Sequence, residues 1–106
     1  MTGQVLHHPR LAWDAARVFV RAAEAGDAFG WLGERLAELL GDDYRQALVE
    51  SWNRLWWSER PDVREAEAGM WRARLEDVLG ARPDLGPALR ELTDHMNLRL
   101  AGLPPR

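Results

Sequence analysis

Residues 9–25 read PRLAWDAARVFVRAAEA, and the apolar side chains in this stretch recur every three or four positions. That spacing is typical of an α-helix that buries one face, and no stretch of the chain shows the two-residue alternation that predicts a strand. Pro9 suits the first turn of a helix and Gly26 suits its end, so we predict helix 1 over residues 9–25. The main apolar line of this helix consists of Leu11, Ala15, Val18, Phe19 and Ala22.

The same helix carries a second apolar line, which consists of Trp13, Ala16 and Val20. A helix that is apolar on two sides either lies in the centre of a bundle or exposes one side for a partner to cover. The sequence leaves both interpretations open.

Four further helices are predicted from the same spacing and from the residues that begin and end helices. Helix 2 is predicted to follow Asp27 as its N-cap and to end before Gly41, and helix 3 to open at Asp43. Helix 4 is predicted from Pro61 to Gly80, and helix 5 from Asp84 as its N-cap to Gly102. The D-x-x-Q pattern from Asp43 to Gln46 predicts a capping box. The expected fold is all-α, a compact bundle of about five short helices in one domain over residues 1–106, with flexible tails at 1–8 and 103–106.

Composition excludes several classes of protein. The chain of 106 residues has a formal net charge of −3 and no cysteine, which argues against a nucleic-acid surface, a disulfide framework and a thiolate zinc site. No apolar run reaches the roughly 20 residues that span a bilayer, and the N-terminus lacks a signal-peptide pattern, so we expect a cytoplasmic location. All 14 basic residues are arginine, a bias typical of GC-rich genomes, and we expect an actinobacterial source.

No pattern of residues points to catalysis. His95 has Glu91 and Asp94 as neighbours, but the Glu-x-x-His pairs of helical metal sites do not occur in the sequence. A Gly-rich phosphate loop and a nucleophile motif are also missing. We therefore expect no enzyme activity, no metal and no cofactor.

Tryptophan is the most informative residue, because six occur in this short chain. Trp52 and Trp71 lie on the main apolar faces of helices 3 and 4, and Trp56 lies at the edge of such a face. We predict that these three side chains belong to the core.

The other three tryptophans, Trp13, Trp31 and Trp57, point away from the main apolar faces of their own helices. Tryptophan is enriched at the residues that dominate binding energy in protein interfaces. We therefore predict an interaction surface that includes Trp13, Val20, Trp31 and Trp57. The alternative is that a small bundle covers these side chains internally.

Residues 31–50 and 71–91 can be aligned with small offsets, so that Trp31 corresponds to Trp71. Two related helical hairpins that pack on one another would explain the alignment, and so would chance similarity between helices rich in Leu, Ala, Arg and Glu. Residues 71–92, WRARLEDVLGARPDLGPALREL, resemble a helical hairpin of the effector-associated adaptors of bacterial conflict and signalling systems. That resemblance implies a function through protein contacts rather than catalysis.

The predicted function is a non-enzymatic helical module for protein–protein interaction, acting as an adaptor or by self-association in bacterial signalling or defence. The alternative is a DNA-binding regulator of the helix-turn-helix type, because short helices joined by glycine turns are common there. A recognition helix needs unpaired basic residues, whereas most arginines here have an acidic residue three or four positions away, as in Glu50–Arg54 and Arg72–Glu76. We expect a protein partner or a homo-oligomer, with no nucleic acid and no membrane.

Overall fold

Five α-helices make up a computed structural model that describes residues 8–102. They are α1 (His8–Ala23), α2 (Asp27–Leu40), α3 (Asp42–Trp57), α4 (Val63–Ala81) and α5 (Gly86–Leu100). A short 3-10 helix, Pro83–Leu85, joins α4 to α5, and residues 8–102 contain no strand. The predicted all-α bundle of about five helices is confirmed.

The predicted tails are only partly covered by the structure. Residues 1–7 and 103–106 lie outside the described residues, and His8, which we assigned to the N-terminal tail, is the first residue of α1. Within residues 8–102, no helix combines the length and the apolar character that a membrane crossing requires.

Helix α1 lies at the centre of the bundle and packs against each of the other four helices, most extensively against α4. Its main apolar line is fully buried, and so are Ala16 and Val20 of the second line. The open question about helix 1 is therefore answered. Helix α1 is apolar on two sides because other helices of the same chain cover its main line and most of its second line, in which Trp13 stays partly exposed.

The remaining helices surround α1 in the order α5, α2, α3 and α4, and the 3-10 helix contacts both α4 and α5. Helices α2 and α3 pack directly on each other, as expected for a hairpin, whereas α4 and α5 meet mainly through α1. Trp71 is completely buried and packs edge-to-face on Phe19 at 5.4 Å, while Trp31 is only half-buried. The two aligned stretches thus have different environments, which disfavours two equivalent hairpins.

Glycine, rather than an aspartate side chain, precedes α2 and α3. Gly26 and Gly41 have φ angles of 49° and 111°, which glycine adopts without the steric penalty of a side chain. Asp27 is the first residue of α2 and not its cap. The capping box predicted for Asp43 and Gln46 is wrong, because Gly41 occupies the cap position and no side chain caps α3.

The starts of the last two helices also differ from the prediction. Pro61 lies in a turn, and α4 begins two residues later at Val63. Asp84 belongs to the 3-10 helix, so α5 begins at Gly86 with Pro87 in its first turn, where the missing amide removes no helical hydrogen bond.

Candidate interaction surface

Two adjacent tryptophans at the end of α3 are the most exposed of the large apolar side chains in residues 8–102. Trp57 exposes 79% of its surface and Trp56 exposes 62%. The outward position predicted for Trp57 agrees with the structure, whereas the core position predicted for Trp56 is wrong. We call Trp56 and Trp57 the tryptophan tip.

Trp56 is exposed because the neighbouring helix begins too late to cover it. Phe29, in the first turn of α2, packs against Trp52 with ring centroids 6.0 Å apart, and Gly33 faces Arg45 further back along α3. The two helices are therefore antiparallel, and α2 starts opposite Trp52. Trp56 lies one turn beyond that point and contacts the ring of Trp52 at 6.0 Å.

The tryptophan tip is held by regular backbone. Helix α3 continues through Trp57, and the backbone amide of Ser58 donates a hydrogen bond to the carbonyl oxygen of Arg54 at 2.9 Å. Side chains on a helix keep a fixed direction, so two indoles project from one end of the bundle with little freedom in the backbone that carries them.

Trp13 and Val20 do not join this tip. Trp13 exposes 36% of its surface, and its ring centroid lies 5.1 Å from the guanidinium carbon of Arg17 and 5.5 Å from that of Arg72. These cation–π contacts cover part of the indole within the same chain. Val20 exposes only 6% of its surface, so its inclusion in an exposed surface is wrong.

Trp31 lies in a third place, where α2 meets α5. Its ring centroid is 4.6 Å from that of His95, and the guanidinium carbons of Arg99 and Arg35 lie 4.8 Å and 5.6 Å from the ring. The Nε2 atom of His95 is buried and has no hydrogen-bond partner in the described part of the chain. The predicted tryptophans therefore do not form one continuous surface.

A groove of about 540 Å³ follows the line between α2 and α5. Apolar side chains that line it include Trp31, Leu39 and Leu92, and exposed charged side chains that line it include Glu38 and Glu91. We call this feature the α2/α5 groove. No local sequence signal predicts it, because it depends on how far apart the two helices pack.

A polar cluster lies inside the bundle between α3 and α4. Trp71 Nε1–H donates to Ser51 Oγ at 2.8 Å, and Ser51 Oγ–H donates to Glu67 Oε1 at 2.7 Å. Arg54 donates from Nε to Glu67 Oε2 at 2.6 Å and from its terminal nitrogen to Oε1 at 3.0 Å. Glu67 is missing from our predicted sites, although its position one turn before Trp71 on the same face was a usable signal.

The charge of Glu67 is stabilised by its partners. Burial by itself raises the pKa of Glu67, but the hydrogen bonds from Arg54 and Ser51 and the positive charges of Arg54 and Arg74 outweigh it and hold the pKa below its ordinary value. The pKa of Arg54 is raised, mainly by its hydrogen bond to Glu67. Ser51 and Glu67 are buried, and the cluster joins α3 to α4 through hydrogen bonds and an ion pair.

Comparison with family models, with curated proteins and with solved structures finds no match for this chain. Residues 8–102 also contain no group of three histidine or carboxylate side chains that could hold a metal ion.

Proposed function

We propose that this protein is a helical protein–protein interaction module that binds its partner through the tryptophan tip. The observation that carries the proposal is the exposure of both Trp56 and Trp57, consecutive residues at the end of α3. An aromatic side chain buries roughly 150–250 Å² when it is covered, so the tip leaves on the order of 300 Å² of apolar surface in water. Patches of that size on a small protein frequently mark binding surfaces.

The energetics of association also favour a protein partner. Covering about 300 Å² of apolar surface is worth roughly 7 kcal/mol before the entropic cost of association is subtracted. The side chain of Trp57 is mostly exposed and contributes little to packing inside the bundle. Tryptophan at the centre of an interface is among the residues whose truncation weakens binding most.

Protein is a better candidate partner than DNA. The net charge is −3, and at least eight arginines within residues 8–102 form ion pairs with carboxylates. Paired arginines contribute little to the positive field that attracts phosphates. The proposed setting is an adaptor or self-associating module of bacterial signalling or defence, acting in the cytoplasm.

Site-specific photocrosslinking in the cells that express the protein tests this proposal. A photoreactive phenylalanine analogue replaces Trp57 in one variant and Gln46, exposed near the other end of α3, in a matched control. We expect a discrete crosslinked protein at position 57, identified by mass spectrometry and lost when Trp56→Ala is added. No product at position 57, or the same products at both positions, would overturn the proposal.

A further inference from the structure

The tryptophan tip and the α2/α5 groove are complementary features of one chain. We infer that two copies associate by exchange, so that the tip of each copy docks in the α2/α5 groove of the other. This inference rests on the proposed function, because it names the partner of the same tip. Its first support is shape, since the groove of about 540 Å³ falls in the range of roughly 300–1,000 Å³ that holds compact organic ligands.

The groove presents surfaces that an indole prefers. Trp31 and His95 form an aromatic wall with ring centroids 4.6 Å apart, and Leu92 adds an apolar side chain to the lining. Aromatic rings pack on one another in offset or edge-on arrangements that add to the hydrophobic effect of burial. An entering indole therefore gains aromatic and aliphatic contacts together.

Charge gives the second support. Glu59 lies two residues after Trp57 and has no ion-pair partner in residues 8–102, and Arg99 lies over Trp31 without a carboxylate partner in that same range. Docking would bring this acid to this guanidinium. Glu38 does not compete for Arg99, because it already pairs with Arg35 at 2.9 Å.

Glu91, the other acidic residue that lines the groove, determines the direction of docking. Glu91 lines the groove one helical turn from Ala88 and would repel an acidic residue there, whereas Arg99 lies over Trp31, one turn beyond His95 on α5. The segment that follows the tip must therefore lie with Glu59 towards Arg99. A single orientation is what a specific interface requires.

Exchange between two copies follows from where the two features lie. Phe29 faces α3 behind the tip and Trp31 faces α5, so the tip and the groove flank α2 on opposite sides. In a two-fold symmetric dimer, the tip of each copy meets the groove of the other copy, so the same contact forms twice. Two docked tips bury on the order of 600 Å² of indole surface, which is typical of a small, transient interface, so we expect a dissociation constant in the micromolar range or weaker.

Sedimentation velocity of the purified chain over about 1 to 500 μM tests the inference. We expect a monomer–dimer equilibrium that Trp57→Ala weakens about 30-fold, the loss typical of an interface hot spot. Ala88→Arg fills the groove from an exposed position and should weaken the dimer similarly. Gln46→Arg, outside both features, is the control and should leave the equilibrium unchanged.

Charge reversal gives a second, independent readout. Glu59→Arg and Arg99→Glu should each weaken the dimer, and the double variant should restore it, because both contacts again join opposite charges. Thermal unfolding by circular dichroism confirms that each variant is folded. A monomer at every concentration, or a dimer that Ala88→Arg and charge reversal leave intact, would overturn the inference.

The two proposals fail separately. A purified chain that stays monomeric, together with a different protein crosslinked at position 57 in cells, removes the exchange dimer and leaves the interaction module standing. A monomer together with no crosslinked product removes both.

Discussion

Replacing Glu67 with alanine tests the polar cluster that joins α3 to α4. Glu67 is 2% exposed and accepts hydrogen bonds from Arg54 and Ser51. A hydrogen bond to a charged group contributes roughly 1.5–3 kcal/mol, and the buried hydroxyl of Ser51 would lose its acceptor at a further cost of about 1–3 kcal/mol. The side chain of Arg54 is 42% exposed, so water hydrates its guanidinium when Glu67 is removed. The lost hydrogen bonds of Arg54 therefore add little to the destabilisation.

We therefore expect Glu67→Ala to lower the free energy of unfolding by about 3 kcal/mol, which corresponds to a fall in Tm of roughly 15 °C for a domain of this size. Urea unfolding followed by circular dichroism measures the free energy. Glu76→Ala is the matched control on the same helix, because Glu76 pairs with Arg72 at a more exposed i,i+4 position and its loss should change stability by less than about 0.5 kcal/mol.

A double-mutant cycle separates the ion pair from the rest of the cluster. Arg54→Ala and Glu67→Ala should be non-additive by about 1 kcal/mol or more, because the two side chains contact each other directly. Equal effects of Glu67→Ala and Glu76→Ala would refute the reasoning, since they would mean that burial adds nothing to the interaction.

Because the pKa of folded Glu67 is lowered, its charge stabilises the fold above about pH 5. The difference in stability between the wild type and Glu67→Gln should therefore shrink as the pH falls through the folded-state pKa. Urea titrations at pH 7 and pH 3 measure this difference, and an equal difference at both pH values would contradict the prediction. Trp57→Ala should change the free energy of unfolding by less than about 0.5 kcal/mol, whereas Trp71→Ala should lower it by about 3–5 kcal/mol, and comparable losses would show that Trp57 is a core residue. Gly41→Ala should lower Tm because φ is 111°, whereas Gly69→Ala, in an open helical position, should stabilise by about 0.4–1 kcal/mol; a gain for both would mean that the turn before α3 is unstrained.

Helical periodicity was sufficient to predict the number of helices and most of the core residues. The main line of α1 and the core positions of Leu36, Leu75 and Met96 follow from spacing alone, because an amphipathic helix has one way to bury its apolar face. The capping of α3 could not be predicted in the same way. A D-x-x-Q pattern fits a capping box, but a glycine in a left-handed conformation immediately before it takes the cap position instead.

The candidate site was harder to predict than the fold, because exposure depends on the length and position of neighbouring helices. Val20 and Trp57 both lie off the main apolar lines of their helices, yet the central position of α1 buries one and the end of the bundle exposes the other. The ion-pair partner of Arg54 also could not be predicted from the sequence, because it depends on how neighbouring helices pack. The expected partner of this arginine was Glu50 on its own helix, but it pairs with Glu67 on the next helix, whose carboxylate accepts three hydrogen bonds from two side chains.

The central position of α1 has a consequence for how the chain acquires its fold during synthesis. This helix is synthesised before the four others, yet its most extensive packing surface is provided by α4, which begins some forty residues after α1 ends. Until then, the nascent chain carries Leu11, Val18 and Phe19 without the helix that covers them. Non-local pairing of this kind delays folding and exposes apolar surface to other proteins, so release of an incomplete chain would yield an aggregation-prone fragment rather than a smaller stable bundle.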